Sequence, residues 1–81
     1  MTVYQMSPFE RRVSRQVGEN VRKQRKRCGV SRETMGRWLG HNSDAIAKAE
    51  RGERRFSIAD LIRISLELGC EVENLIGPPP K

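Results

Sequence analysis

The sequence is poor in the side chains that build metal sites and most catalytic sites. It has one histidine, His41, and two cysteines, Cys28 and Cys70, which lie far apart in the chain. A zinc site needs about four ligands, so a single chain cannot supply them here. The sequence also shows no nucleophile–base set and no glycine-rich phosphate loop. We therefore expect no enzyme activity, no metal and no cofactor.

Long apolar runs are also absent. No run approaches the roughly 20 residues that a membrane span requires, and the N-terminus lacks the basic and then apolar pattern of a signal peptide. We therefore expect a cytoplasmic protein without a membrane partner. In that compartment thiols stay reduced, so both cysteines are interpreted as small apolar residues.

Positive charge, by contrast, is plentiful. The 81 residues include 16 lysines and arginines against 10 acidic residues, which gives a net charge of +6. This balance suggests a polyanionic partner, nucleic acid before an acidic membrane, although a basic surface that only confers solubility has the same composition. The length fits one domain with a modest core.

Capping residues and apolar spacing predict an all-α domain of five helices. A first helix is expected from about Ser14 to Arg27, and the stretch Ser7-Pro8-Phe9-Glu10 indicates an alternative, earlier start at Pro8. Ser31, Asn42 and Ser57 would cap the next three helices, and a short fifth helix covers 71–76. We assign 1–13 to an N-terminal arm or an extension of the first helix, 14–77 to the domain, and 78–81 to a proline-rich tail.

The second and third helices have the spacing of two helices that cross over a sharp turn. Gly36 would let the third helix approach its backbone, and Gly40 can adopt the positive φ of the corner. Ile46 and Ala49 then fall on the inner side of the third helix. This arrangement is the helix-turn-helix, whose second helix enters the major groove of DNA.

The outer face of the third helix carries three candidate base-reading residues. Lys48 can donate to guanine, Asp44 can accept from cytosine N4, and Ser43 can do either. Asp44 has an alternative role, because an acidic side chain near a helix N-terminus complements the helix dipole.

Arginines surround this face, and one further arginine is predicted to be buried. The candidates for binding DNA phosphates are Arg32, Arg51, Arg54 and Arg55. Glu50 turns inward on the helical wheel, and a buried carboxylate must be paired. Arg25 of the first helix is the predicted partner, in an ion pair that ties the first helix to the third.

Together these residues resemble the lambda-repressor-like, Cro-type (XRE) family of helix-turn-helix regulators. The resemblance covers about residues 14–77 and rests on Val17-Gly18, Arg25, Gly29-Val30-Ser31, Gly36, Gly40, Ile46, Glu50-Arg51-Gly52, Ser57, Leu61, Leu68-Gly69 and Leu75. It implies a five-helix domain that binds operator DNA and regulates transcription, usually as a repressor. By position, the family's base contacts fall on Ser43, Asp44 and Lys48, its phosphate contacts on Arg32, Arg51 and Arg55, and its buried pair on Arg25 and Glu50.

The resemblance also implies a homodimer on double-stranded DNA. Val72, Leu75 and Ile76 either form the dimer interface or close the core of the monomer. Trp38 is expected to lean outward and would then mark a partner surface. The alternative function is an antitoxin or another protein-binding module that uses the same domain to hold a partner protein.

Overall fold

The computed structural model describes residues 5–78, which form five helices and no strand. The all-α, five-helix fold that the sequence predicts is confirmed. Residues 1–4 of the predicted arm and residues 79–81 of the predicted tail lie outside the described residues. The helices are α1 (Pro8–Arg27), α2 (Arg32–Leu39), α3 (Ser43–Glu50), α4 (Ile58–Leu68) and α5 (Glu73–Ile76).

Helix α1 begins at Pro8, the earlier of the two starts considered, because Ser7 and Glu10 form a capping box. The Glu10 N–H donates to the Ser7 hydroxyl at 3.1 Å, and the Glu10 carboxylate accepts from the Ser7 N–H at 3.4 Å. The two residues thereby satisfy N–H groups that the helix itself leaves unpaired. Each of the next three helices also begins at the predicted cap: Ser31, Asn42 and Ser57.

A single core joins the helices and includes the inner side of α3. Its buried members are Val17, Val21, Met35, Ile46, Leu61, Ile64 and Leu75. Full burial of one such side chain contributes about 1.5–3 kcal/mol relative to exposure. Because Ile46 is 1% exposed, the packing of the core fixes which side of α3 faces the solvent.

The aromatic residues depart in part from the sequence interpretation. Trp38, expected to lean outward, is half-buried and packs against the core, as does Phe56. Phe9 and Val13, which continue the apolar spacing of α1, are exposed. The reason is that α1 has buried residues only from Val17 onward, so its first turns extend beyond the core.

Helix α5 bears on the two roles considered for Leu75. Leu75 is fully buried, and the buried amide of Asn20 donates to its backbone oxygen at 3.1 Å and to that of Gly77. Leu75 therefore closes the core of the monomer, and its side chain has no surface to offer a dimer interface. Ile76 is half-exposed and Val72 is partly buried.

Helix α4 is apolar on two sides. Leu61 and Ile64 face the core, whereas Ile58, Ile62 and Leu66 are 79%, 47% and 74% exposed. Residues four apart share one face of a helix. These three side chains, called the α4 stripe below, therefore form one apolar row directed towards solvent.

Candidate nucleic-acid interface

A sharp turn sets the angle between α2 and α3. Gly40 ends α2 with φ +72°, and the His41 N–H returns to the Gly36 oxygen at 2.9 Å. A Cβ at Gly36 would overlap the His41 carbonyl. The small residue at 36 is thus required by the backbone of the turn, whereas the sequence interpretation assigned it to the approach of the next helix.

His41 also links this turn to the next helix. Its Nε2 lies 3.6 Å from an Asp60 carboxylate oxygen, and both side chains are partly buried. The same Asp60 carboxylate accepts from the Ser57 N–H at 3.0 Å in the capping box of α4. His41 is therefore a partly buried residue of the turn.

The inner side of α3 rests against α1 at a glycine. Ala49 and Glu50 are 3% and 5% exposed, and their backbone oxygens lie so close to Gly18 that a Cβ there would overlap both. From the sequence alone Gly18 only weakens α1. In the structure it lets the C-terminal turn of α3 lie directly on the backbone of α1.

A buried ion pair strengthens the same contact. The Arg25 Nε and Nη2 atoms donate to the Glu50 carboxylate at 2.6 and 3.1 Å, and the side chains are 7% and 1% exposed. The Arg25 Nη1 also donates to the Val30 oxygen at 2.8 Å. This is the pair that the helical wheel predicts, and it holds α3 against α1 and against the start of α2.

Arg32 joins this pair from the outside, which the sequence analysis missed. Its Nε donates to the Glu50 carboxylate at 3.2 Å while the side chain stays 42% exposed. Arg32 lies in the first turn of α2, next to N–H groups that can bind an anion. The guanidinium group is thus held in place by a buried carboxylate and still reaches solvent.

The three predicted base-reading residues lie together on the exposed side of α3. Ser43, Asp44 and Lys48 are all exposed, and the Lys48 Nζ is 3.4 Å from an Asp44 carboxylate oxygen. An exposed pair of this kind contributes little to stability. Both side chains therefore remain able to exchange their mutual contact for another partner.

Beyond the C-terminus of α3, two of the predicted phosphate ligands have acidic neighbours. The Arg51 Nε is 2.8 Å from a Glu53 carboxylate oxygen, and the Arg55 Nη1 is 3.4 Å from one of Glu10. The hydrogen bond to Glu53 raises the pKa of Arg51, and the same bond lowers the pKa of Glu53. Sequence reasoning did not find these carboxylates, although the spacing of Arg51 and Glu53 could have indicated the first pair.

Two concave regions flank the exposed side of α3. One, of about 500 Å³, lies at its N-terminal end between Ser31, Arg32, Ser43 and Asp44. The other, of about 600 Å³, lies beyond its C-terminal end and is lined by arginines. Eight residues of helix span about 12 Å, which is close to the width of the major groove, about 12 Å.

Comparison with known proteins identifies the fold. The profile of a family described as "helix-turn-helix domain" matches residues 16–72. The chain belongs to the helix-turn-helix domain family. The resemblance to lambda-repressor-like regulators is thereby confirmed. No match is found among curated protein sequences.

Solved structures with the same fold include regulators and an enzyme. The restriction-modification controller protein C.AhdI from Aeromonas hydrophila is 26% identical with a TM-score of 0.67, over 75% of this chain and 92% of that one. A hypothetical transcription factor, NHTF, from Neisseria is 23% identical with a TM-score of 0.73, over 96% and 90%. The hydroxypropylphosphonic acid epoxidase from S. wedmorenis is 25% identical with a TM-score of 0.71, over 84% of this chain and only 35% of that one.

The helix-turn-helix domain has few further candidate sites. Within residues 5–78 no group of three or more histidine, cysteine and acidic side chains is placed to hold a metal ion. Over the same residues, no helix combines the length and the apolar character needed to cross a membrane. The exposed side of α3 and the two concave regions beside it are therefore the features that a functional assignment has to explain.

Proposed function

We propose that this helix-turn-helix domain is a sequence-specific DNA-binding regulator of transcription, a repressor, that reads operator DNA as a homodimer. The observation that carries the proposal is the geometry of α3. Its inner side is fixed by Ile46 and by the buried Arg25–Glu50 pair, and its polar side is exposed between two concave regions. The net charge of +6 favours a polyanion. The likeness to a restriction-modification controller protein supports the same class of function, which would be exercised in the cytoplasm.

In this proposal the exposed side of α3 enters the major groove. Lys48 donates to the O6 and N7 atoms of a guanine, Asp44 accepts from a cytosine N4, and Ser43 contacts a base at the N-terminal tip. The contact between Lys48 and Asp44 is given up on binding. That exchange costs little, because exposed pairs at this spacing contribute only about 0.3–0.5 kcal/mol.

The phosphates on either side of the groove would be bound by arginines. Arg32, in the first turn of α2, is oriented by Glu50, and the other three follow the C-terminus of α3: Arg51, Arg54 and Arg55. Each phosphate contact releases counterions, so the logarithm of the affinity should fall linearly with that of the salt concentration. Arg55→Ala should weaken binding to all sequences alike and lower the slope by about one unit.

Selection of bound sequences from a random duplex pool tests the reading assignment. The wild-type domain should enrich one motif, and Lys48→Ala should lose the preference at one base pair, worth about 1–3 kcal/mol. Lys23→Ala is the matched control, because it removes an exposed lysine of α1 and should leave the motif unchanged. An unaltered motif with Lys48→Ala would refute the base assignment, and no enriched motif at all would refute sequence-specific binding.

The homodimer requires a self-complementary surface, and two exposed apolar surfaces are candidates for it. Of the predicted interface, Ile76 and Val72 remain accessible whereas Leu75 is buried. The α4 stripe is a second exposed apolar surface. Light scattering with and without DNA, on Ile62→Lys and Ile76→Lys, shows which surface is used. A wild-type domain that stays monomeric in both conditions would refute the homodimer.

A further inference from the structure

The concave region beyond the C-terminus of α3 is lined by arginines from two separate parts of the chain. Arg51, Arg54 and Arg55 come from the segment after α3, and Arg11 and Arg15 come from successive turns of α1. The predicted phosphate contacts include only the first three. Arg11 lies in the extension 1–13 that precedes the predicted domain, Arg15 lies at the start of that domain, and no role has been given to either so far. The five side chains together are called the arginine groove.

A close backbone approach creates this groove. Gly52 adopts φ +80° directly after Arg51, and a Cβ on it would overlap the backbone of Arg15. The loop therefore lies on α1 at this point. The α1 arginines are thus carried next to those that follow α3, and this juxtaposition cannot be found from sequence spacing because the residues are nearly 40 positions apart.

The groove holds more positive charge than its acidic neighbours balance. Arg51 is paired with Glu53, and Arg55 contacts Glu10. Arg11, Arg15 and Arg54 are exposed, and among residues 5–78 their side chains have no partner in a hydrogen bond or an ion pair. Guanidinium groups gathered in a concave region repel one another unless an anion lies between them. A phosphate suits such a cluster, because an arginine can donate two parallel hydrogen bonds to its oxygens.

The groove also continues the exposed side of α3. Arg51 follows Lys48 by three residues, and side chains at this spacing are neighbours on a helix. A DNA strand that passes the C-terminal end of α3 therefore leads directly into the groove.

We propose that Arg11 and Arg15 of α1, together with Arg54, bind a backbone phosphate of the same DNA, beyond the groove that α3 enters. The inference rests on the proposed DNA-binding function. It adds α1 to the interface and extends the contacted length of the duplex.

The test is a salt titration of DNA binding by fluorescence anisotropy. The probes are a labelled duplex with the selected motif and a mixed-sequence duplex of equal length. Arg11→Ala/Arg15→Ala should weaken binding to both probes and lower the salt slope by about one unit, since one phosphate contact contributes about 0.9. Lys23→Ala/Arg27→Ala is the matched control. It removes the same charge from exposed positions roughly 120° further around α1, at 100° per residue, and should leave the slope unchanged.

A second measurement localises the contact. Neutral methylphosphonates replace single phosphates in the selected duplex, one position at a time. At one flanking position the substitution should weaken the wild type severalfold and have a much smaller effect on Arg11→Ala/Arg15→Ala, because two of the three arginines that contact this phosphate are already absent. Thermal melting of each variant checks that the fold is retained.

The outcomes separate this inference from the proposed function. Equal losses of DNA affinity in the two double variants would show that only the net charge of the protein matters, and would overturn the inference. An unchanged salt slope for Arg11→Ala/Arg15→Ala would also overturn it. In both cases the wild type still binds DNA, so the proposed function stands. A wild type that binds neither duplex would overturn both proposals.

Discussion

The buried ion pair between α1 and α3 gives the most demanding test of the structure. In Arg25→Ala, Glu50 loses two charge-assisted hydrogen bonds, at 2.6 and 3.1 Å, and keeps only the bond from Arg32 at 3.2 Å. Hydrogen bonds to charged groups contribute about 1.5–3 kcal/mol each. Removing one partner of a buried pair costs about 3–5 kcal/mol. We therefore expect the free energy of unfolding to fall by about 3–5 kcal/mol.

Urea and thermal unfolding followed by circular dichroism measure this loss. For a domain of this size, 1 kcal/mol corresponds to about 4–8 °C in Tm, so the midpoint should fall by at least about 12 °C. Lys23→Ala is the control. It breaks the pair between Glu19 and Lys23, in which both side chains are 57% exposed, and such pairs contribute about 0.3–0.5 kcal/mol.

A double variant separates the charge effect from packing. Arg25→Met/Glu50→Leu removes both charges and fills similar volume, and such replacements are often neutral or stabilising. It should therefore unfold at a higher temperature than Arg25→Ala, although the Val30 oxygen loses its donor. The reasoning would be refuted if Arg25→Ala cost less than about 1 kcal/mol, the range of exposed pairs.

Two further predictions concern buried and exposed neighbours. Leu75→Ala should lower the free energy of unfolding by about 2–5 kcal/mol in a urea titration, because it leaves a cavity in the core. Ile76→Ala, at a half-exposed position, should have a much smaller effect on the monomer in the same titration. Similar losses of stability in the two variants would contradict the assignment of Leu75 to the core. A thiol reagent at neutral pH should modify Cys28 before Cys70, because Cys28 is exposed and burial raises the pKa of the Cys70 thiol. Mass spectrometry of single-cysteine variants measures the two reaction rates. Faster reaction of Cys70 would contradict the prediction.

Features that depend on adjacent residues were predictable from the sequence. The caps at Ser31, Asn42 and Ser57 and the sharp turn at Gly40 follow from local hydrogen bonding and backbone sterics. These local features set the helix boundaries. The helical wheel then placed Glu50 inside, and the need to pair a buried carboxylate led to Arg25. The Arg25–Glu50 pair was predictable because a buried charge needs a partner of opposite charge, and few residues can supply one.

Features that depend on distant segments were not predictable in this way. The contact between Arg55 and Glu10 joins residues 45 positions apart, and the approach of Gly52 to Arg15 depends on how the loop after α3 lies on α1. Apolar periodicity likewise shows that α4 has apolar residues, but it does not show which of them the core reaches. The sequence left two roles open for Leu75 for the same reason, because its burial depends on how α5 packs against α1.

Gly18 shows how local propensity and tertiary contact oppose each other at one position. Alanine in the middle of a helix is favoured over glycine by about 1 kcal/mol, so propensity alone predicts that Gly18→Ala stabilises the domain. The structure predicts the reverse, because the new Cβ would overlap the backbone oxygens of Ala49 and Glu50, and neither can move without shifting α3. Overpacking of this kind costs about 1–3 kcal/mol.

We expect Gly18→Ala to lower the Tm, and the Arg25–Glu50 pair makes the mechanism testable. If α3 is pushed away from α1, the pair is stretched, and Arg25→Ala should then cost less in the Gly18→Ala background than in the wild type. Unfolding of the two single variants and the double variant gives this coupling energy directly. An increase in Tm for Gly18→Ala would show that α1 and α3 are less tightly packed than the structure has them. Strictly additive losses would show that the added methyl group is accommodated without moving Glu50.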